Sequence, residues 1–96
     1  MKSKQKRVLL ALAYSDALHV EPGFPVEQRS IFGVDGDPTD VAISLQWRDI
    51  EGCVWEADFT GQSFVEADIT RNRITLHDSQ GDRVCVSVHR LKPAKV

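Results

Sequence analysis

The stretch Val41-Ala42-Ile43-Ser44-Leu45-Gln46-Trp47-Arg48, followed across Asp49-Ile50-Glu51-Gly52 by Cys53-Val54-Trp55-Glu56-Ala57-Asp58-Phe59, decides the fold class. Val41, Ile43, Leu45 and Trp47 alternate with smaller or polar residues, which is the two-residue period of a strand buried on one face. Cys53, Trp55, Ala57 and Phe59 repeat that period after the break, so the segment reads as an antiparallel hairpin. The expected register sets Trp47 opposite Cys53, Leu45 opposite Trp55, Ile43 opposite Ala57 and Val41 opposite Phe59. A slip of one residue would turn half of these side chains into water. On this reading Trp47, Trp55 and Phe59 belong to the core, with Phe64 in or near it, and Cys53 shares the core face.

A second hairpin follows downstream. Ile74 and Leu76 lead into Asp78-Ser79-Gln80-Gly81-Asp82, and Val84, Val86 and Val88 resume the alternation. A short loop ending in glycine suits a type I turn closed by a left-handed residue. The predicted pairs are Leu76 with Val84 and Ile74 with Val86 on the core face. Thr75 with Cys85, His77 with Arg83 and Arg73 with Ser87 fall on the other.

Upstream the pattern is harder to read. Val8, Leu10, Leu12 and Tyr14 alternate as a strand face, and we expect a strand from Arg7, a turn at Tyr14-Ser15-Asp16-Ala17 and a return strand over residues 18–21. The leucines and alanines of the same segment also suit a helix from Arg7 to His19. Residues 21–39 hold Pro22, Pro25 and Pro38 with Gly23, Gly33 and Gly36, and are expected to form one long irregular connection. A chain of 96 residues has material for one hydrophobic core, so residues 1–96 are expected to be a single domain. The expected architecture is mainly β: a small antiparallel β-sandwich or partly open barrel with an N-terminal strand or short helix.

The net charge of −2 exerts no global pull on nucleic acid or membrane, but it is unevenly spread. Residues 1–20 and 81–96 each carry +3, while residues 21–80 hold twelve carboxylates against Arg29, Arg48, Arg71 and Arg73, a net of −8. No stretch approaches the roughly 18–20 apolar residues of a transmembrane helix. MKSKQKR before VLLALA has the charged-then-apolar order of a secretory leader, yet the apolar run is short for that role. The segment is therefore expected to be part of the fold, and the protein cytoplasmic or in a virion. Cys53 and Cys85 are expected on different faces and reduced.

The candidate interaction residues form two groups. Asp35, Asp37 and Asp40 cap the acidic middle and suit a basic groove on a partner. Arg71, Arg73, His77 and Arg83, joined by His89, share one sheet face and suit phosphate or nucleic acid, although the stacking aromatics of a single-strand binder are missing there. Cys85 and His89 would stand roughly 13 Å apart along one strand, too far for a thiolate–imidazole pair, so a cysteine nucleophile would need His77 instead. His19, His77 and His89 fit no metal-ligand spacing, and no phosphate loop occurs, so neither metal nor cofactor is expected.

Residues 57–71 repeat an apolar residue every five positions and resemble the pentapeptide-repeat family. They supply little more than one coil, short of the stacked units a solenoid needs. Over residues 36–71 a different pattern stands out: Gly36-Asp37, the strand ending Leu45-Gln46-Trp47-Arg48-Asp49, Gly52, Asp58-Phe59-Thr60-Gly61 and Ala67-Asp68-Ile69-Thr70-Arg71. This resembles the small β-sandwich domains of tailed-phage tail and baseplate proteins, including the baseplate upper protein family. The resemblance implies a virion or phage-encoded protein without enzyme activity, and it transfers no binding residues because the motif is structural.

The expected function is non-enzymatic protein–protein interaction or structural support, with a protein partner and a homodimer or higher oligomer. The alternatives are an acidic inhibitor filling a basic groove, a nucleic-acid or phosphate-binding small barrel, and a cysteine hydrolase or transferase.

Overall fold

The computed structural model describes residues 2–89. Its elements in chain order are helix α1 (Lys2–Tyr14), strands β1 (Ala17–Val20), β2 (Phe24–Ile31), β3 (Val41–Arg48) and β4 (Val54–Thr60), the short helix α2 (Gly61–Val65), and strands β5 (Asp68–Thr70), β6 (Arg73–His77) and β7 (Arg83–His89). The strands form one antiparallel sheet in the order β4-β3-β2-β1-β7-β6-β5. The sheet curls into half a barrel, so the architecture is mainly β and the expected partly open barrel is the form it takes.

The N-terminal segment is a helix, correcting the strand expected from Arg7. Gln5, Val8 and Leu12 are buried at spacings of three and four residues, which places them along one stripe of a helix. The alternation of Val8, Leu10, Leu12 and Tyr14 was a coincidence of composition, since Leu10 and Tyr14 point outward. Val8, Leu12 and Ala13 join the same buried cluster as Leu18, Ile43, Leu45, Phe59, Leu76 and Val86, so α1 lies on the concave face of the sheet. The return strand β1 begins and ends one residue ahead of the expected 18–21.

The supposed connection over residues 21–39 also contains structure. Phe24–Ile31 is a full strand, paired to β1 through His19↔Pro25 and to β3 through Val26↔Trp47 and Arg29↔Leu45. A register shift between Val26 and Gln28 breaks its two-residue period, and the surrounding prolines and glycines hid what remained. Only residues 32–40 form an irregular loop.

The β6–β7 hairpin has every pair that was expected, from Arg73↔Ser87 to His77↔Arg83. Gly81, at φ +86°, donates its N–H to the Asp78 carbonyl, and the Asp78 N–H reaches the Asp82 carbonyl. The β3–β4 hairpin differs by two residues: Trp47 faces Trp55, Leu45 faces Ala57, Ile43 faces Phe59, and Val41 meets Thr60 across a bulge. The cause is the loop. The Asp49 carboxylate accepts from the N–H groups of Glu51 and Cys53, both at 2.9 Å, and Gly52 turns at φ +83°. A five-residue loop results where a tighter one was expected, and Cys53 lies in it, exposed, not on the core face.

Candidate functional site

The short β1 strand shapes the site. Its pairing with β7 ends at Val20↔Val86, the Glu21 N–H reaches the Cys85 carbonyl, and the chain then turns into β2. The β3–β4 and β6–β7 hairpins extend past that turn, and between them lies a cleft of about 570 Å³. One wall is Trp47, Trp55, Glu56 and Ala57; the other is Arg83, Val84 and Cys85 with Asp78, Gln80 and Asp82 from the turn; Val20, Glu21 and Arg73 close it. The β6–β7 turn meets the β4 edge at one point, where the Ser79 N–H donates to the Asp58 carbonyl at 2.8 Å. The cleft opens from that bond toward the tip of the β3–β4 hairpin.

Trp55 is the residue the sequence misassigned. It was expected in the core and is 54 % exposed, whereas Trp47 opposite is buried. Its indole is held in place: Nε1–H donates to Asp49 Oδ2 at 2.8 Å. This bond is the largest influence on Asp49 and keeps its carboxyl below the ordinary aspartate range, assisted by the loop N–H groups. The same hairpin presents Ile50, 92 % exposed, in its loop and Val54, 54 % exposed, on the other face of β4. An anchored, half-exposed tryptophan on a hairpin that also exposes aliphatic side chains has the composition of an interface centre. The signal available in the sequence was the pair Asp49 and Trp55 around a glycine-bearing loop, which marks a longer loop than the alternation suggested.

The predicted residues separate. Asp35, Asp37 and Asp40 lie in the 32–40 loop, the length of β3 from the β3–β4 tip, about 26 Å at 3.3 Å per residue. Two of them hold the loop together. Asp37 Oδ1 accepts from the Thr39 N–H at 2.9 Å and its hydroxyl at 2.7 Å, while Asp40 Oδ2 accepts from the Asp37 N–H at 3.2 Å. The backbone and hydroxyl of Thr39 set the Asp37 pKa below its usual value. Asp35 is exposed beside them.

Arg73, His77 and Arg83 do share the outer face of β6 and β7, and Arg71 sits at φ +46° in the β5–β6 turn. Arg73 forms an ion pair with Glu21 and donates to Cys85 Sγ at 3.5 Å; the Thr75 hydroxyl lies 3.6 Å from the same sulfur. The groups beside Cys85 are thus a guanidinium and a hydroxyl. Across the sheet His19 and His89 make an edge-on ring contact at 4.7 Å. Among the described residues no group of three or more His, Cys, Asp or Glu is placed to hold a metal, and no helix is long and apolar enough to cross a membrane.

The fold and site thus define a curled antiparallel sheet, filled by one helix, with an aromatic cleft between two hairpins. No protein-family model, no curated protein and no solved structure matches the chain.

Proposed function

We propose that the protein is a non-enzymatic protein–protein interaction module that binds its partner through the β3–β4 hairpin tip and the adjoining cleft. The observation that carries this is Trp55, half-exposed yet fixed by Asp49, on a hairpin whose tip also exposes Ile50. A side chain whose rotamer is already set loses little freedom on binding, and a large aromatic supplies most of the contact energy of an interface. The hairpin falls within residues 36–71, whose pattern resembles phage tail and baseplate domains, and this supports a virion component or phage-encoded accessory protein as its setting.

The acidic-inhibitor and nucleic-acid readings draw less support. Asp37 and Asp40 are committed to their own loop, and Arg73 to Glu21 and Cys85.

Affinity capture from host or infected lysate, with nuclease treatment, tests the proposal. The wild-type chain should retain a stoichiometric, nuclease-resistant protein, and Ile50→Asp and Trp55→Ala should each release it while leaving the fold intact. A strict monomer by light scattering that captures no protein would sink the proposal, as would capture indifferent to both substitutions.

A further inference from the structure

β4 is an edge strand seven residues long, whereas the opposite edge, β5, has three. In an antiparallel pair, alternate residues turn their N–H and C=O toward the partner strand or away from it. Two bonds fix which way β4 alternates. The Cys53 carbonyl accepts from Asp49, within the hairpin, and the Asp58 carbonyl accepts from Ser79, outside it. The register runs without a shift from Ile43↔Phe59 to Arg48↔Val54. Trp55 and Ala57 therefore bond to β3, while Val54, Glu56 and Asp58 face outward. The β6–β7 turn takes the Asp58 carbonyl; the outward groups of Val54 and Glu56 have no partner among the described residues. This bare edge borders the cleft, which Glu56 and Trp55 line.

Side chains add a charge rule. Glu56 and Asp58 lie on the outer face of β4, and Trp55 on the inner. A second copy of the chain pairing antiparallel about Glu56 would set Glu56 against Glu56, which is unfavourable. A strand with cations on one face and apolar residues on the other meets no such conflict.

We propose, building on the interaction reading above, that the β4 edge accepts an extended segment of another protein as an added strand. The segment carries Lys or Arg opposite Glu56, short of the Ser79–Asp58 bond that closes the edge, and an apolar side chain reaches the cleft beside Trp55. Main-chain bonds to Val54 and Glu56 supply the pairing, and the cation set against Glu56 fixes the register.

The probes are two synthetic peptides, Thr-Lys-Val-Lys-Leu-Lys-Thr and Thr-Glu-Val-Glu-Leu-Glu-Thr, both with blocked ends, titrated into the full chain by NMR. The lysine peptide should bind about tenfold more tightly than the glutamate one, the scale of reversing the charge set against Glu56. It should slow hydrogen exchange at the amides of Val54 and Glu56. Glu56→Pro removes an outward N–H without breaking a bond to β3 and should abolish binding. Glu56→Lys keeps every backbone group and should reverse the preference between the peptides, which separates recognition from misfolding.

Equal binding of both peptides, binding unaffected by Glu56→Pro, or absence of binding would overturn the proposal. So would a dimer in sedimentation that Glu56→Pro dissolves, since the occupant would then be a second copy. A captured partner that depends on Ile50 and Trp55 but ignores Glu56→Pro would overturn the added strand and leave the interaction reading standing.

Discussion

Asp49 organises the β3–β4 loop much as a capping residue organises a helix end, because one short carboxylate satisfies two loop N–H groups and an indole N–H together. Its depressed pKa states that the charged form is preferred in the fold. The sign follows directly: the contribution is fully present above the ordinary aspartate value of 3.8 and disappears as pH falls through the lower folded value. The Trp55 indole N–H resonance should therefore titrate with a midpoint below pH 3.8, and it should lack that transition in Asp49→Asn. A midpoint at or above the ordinary value would show that the bond does not form. Exposure sets the scale of mutational effects at the two aromatic positions. Phe59 is fully buried, and Phe59→Ala should cost about 3–5 kcal/mol. Trp55→Ala leaves no enclosed cavity and should cost about 1 kcal/mol or less by urea melt. Equal losses would place Trp55 in the core after all.

At the scale of elements, Arg29 joins the helix to the sheet. It faces inward from β2 beside Leu45, and its Nη1 lies 3.2, 3.1 and 2.8 Å from the carbonyls of Leu12, Ala13 and Ser15. These belong to the C-terminal turn of α1 and the residues after it, where carbonyls lack intrahelical donors and a cation is favourable. Arg29→Met keeps most of the stem and removes the donors, so it should cost about 1–2 kcal/mol in urea unfolding. A neutral result would mean that water serves those carbonyls equally well. No sequence pattern announces such a cap, because Leu12 and Arg29 are far apart in the chain. What the sequence did disclose was local. Ile74 to Val88 showed its full register, because a short glycine-closed turn leaves no freedom in pairing. Between Val41 and Phe59 the alternation gave the hairpin, but Asp49 lengthened the loop and moved the pairs by two. In β2 the bulge between Val26 and Gln28 broke the period, and the prolines and glycines around it hid the rest. The candidate site went unread for the same reason, since its key residue, Trp55, changes from core to surface with that shift.

For the molecule as a whole, the strand order predicts where the fold opens first. β3, β2, β1, β7 and β6 have neighbours on both sides, and α1 covers the concave face with Val8 and Leu12 in the common core. Opening any of these amides requires losing packed apolar surface, so they should exchange only with global unfolding. β4 and β5 have one neighbour each, and β5 is only three residues long. Native-state exchange should therefore rank the inward-facing amides of β7 and β3 slowest and β5 fastest. Along β4 it should alternate: Trp55 and Ala57, bonded to β3, slow, and Val54 and Glu56, bonded to nothing within the sheet, close to the rate of an unprotected amide. A smooth gradient along β4 would mean that the edge is covered in solution, either by a second copy or by residues of the same chain. Rates that remain alternating at high dilution and become uniform at high concentration would identify a second copy as that cover.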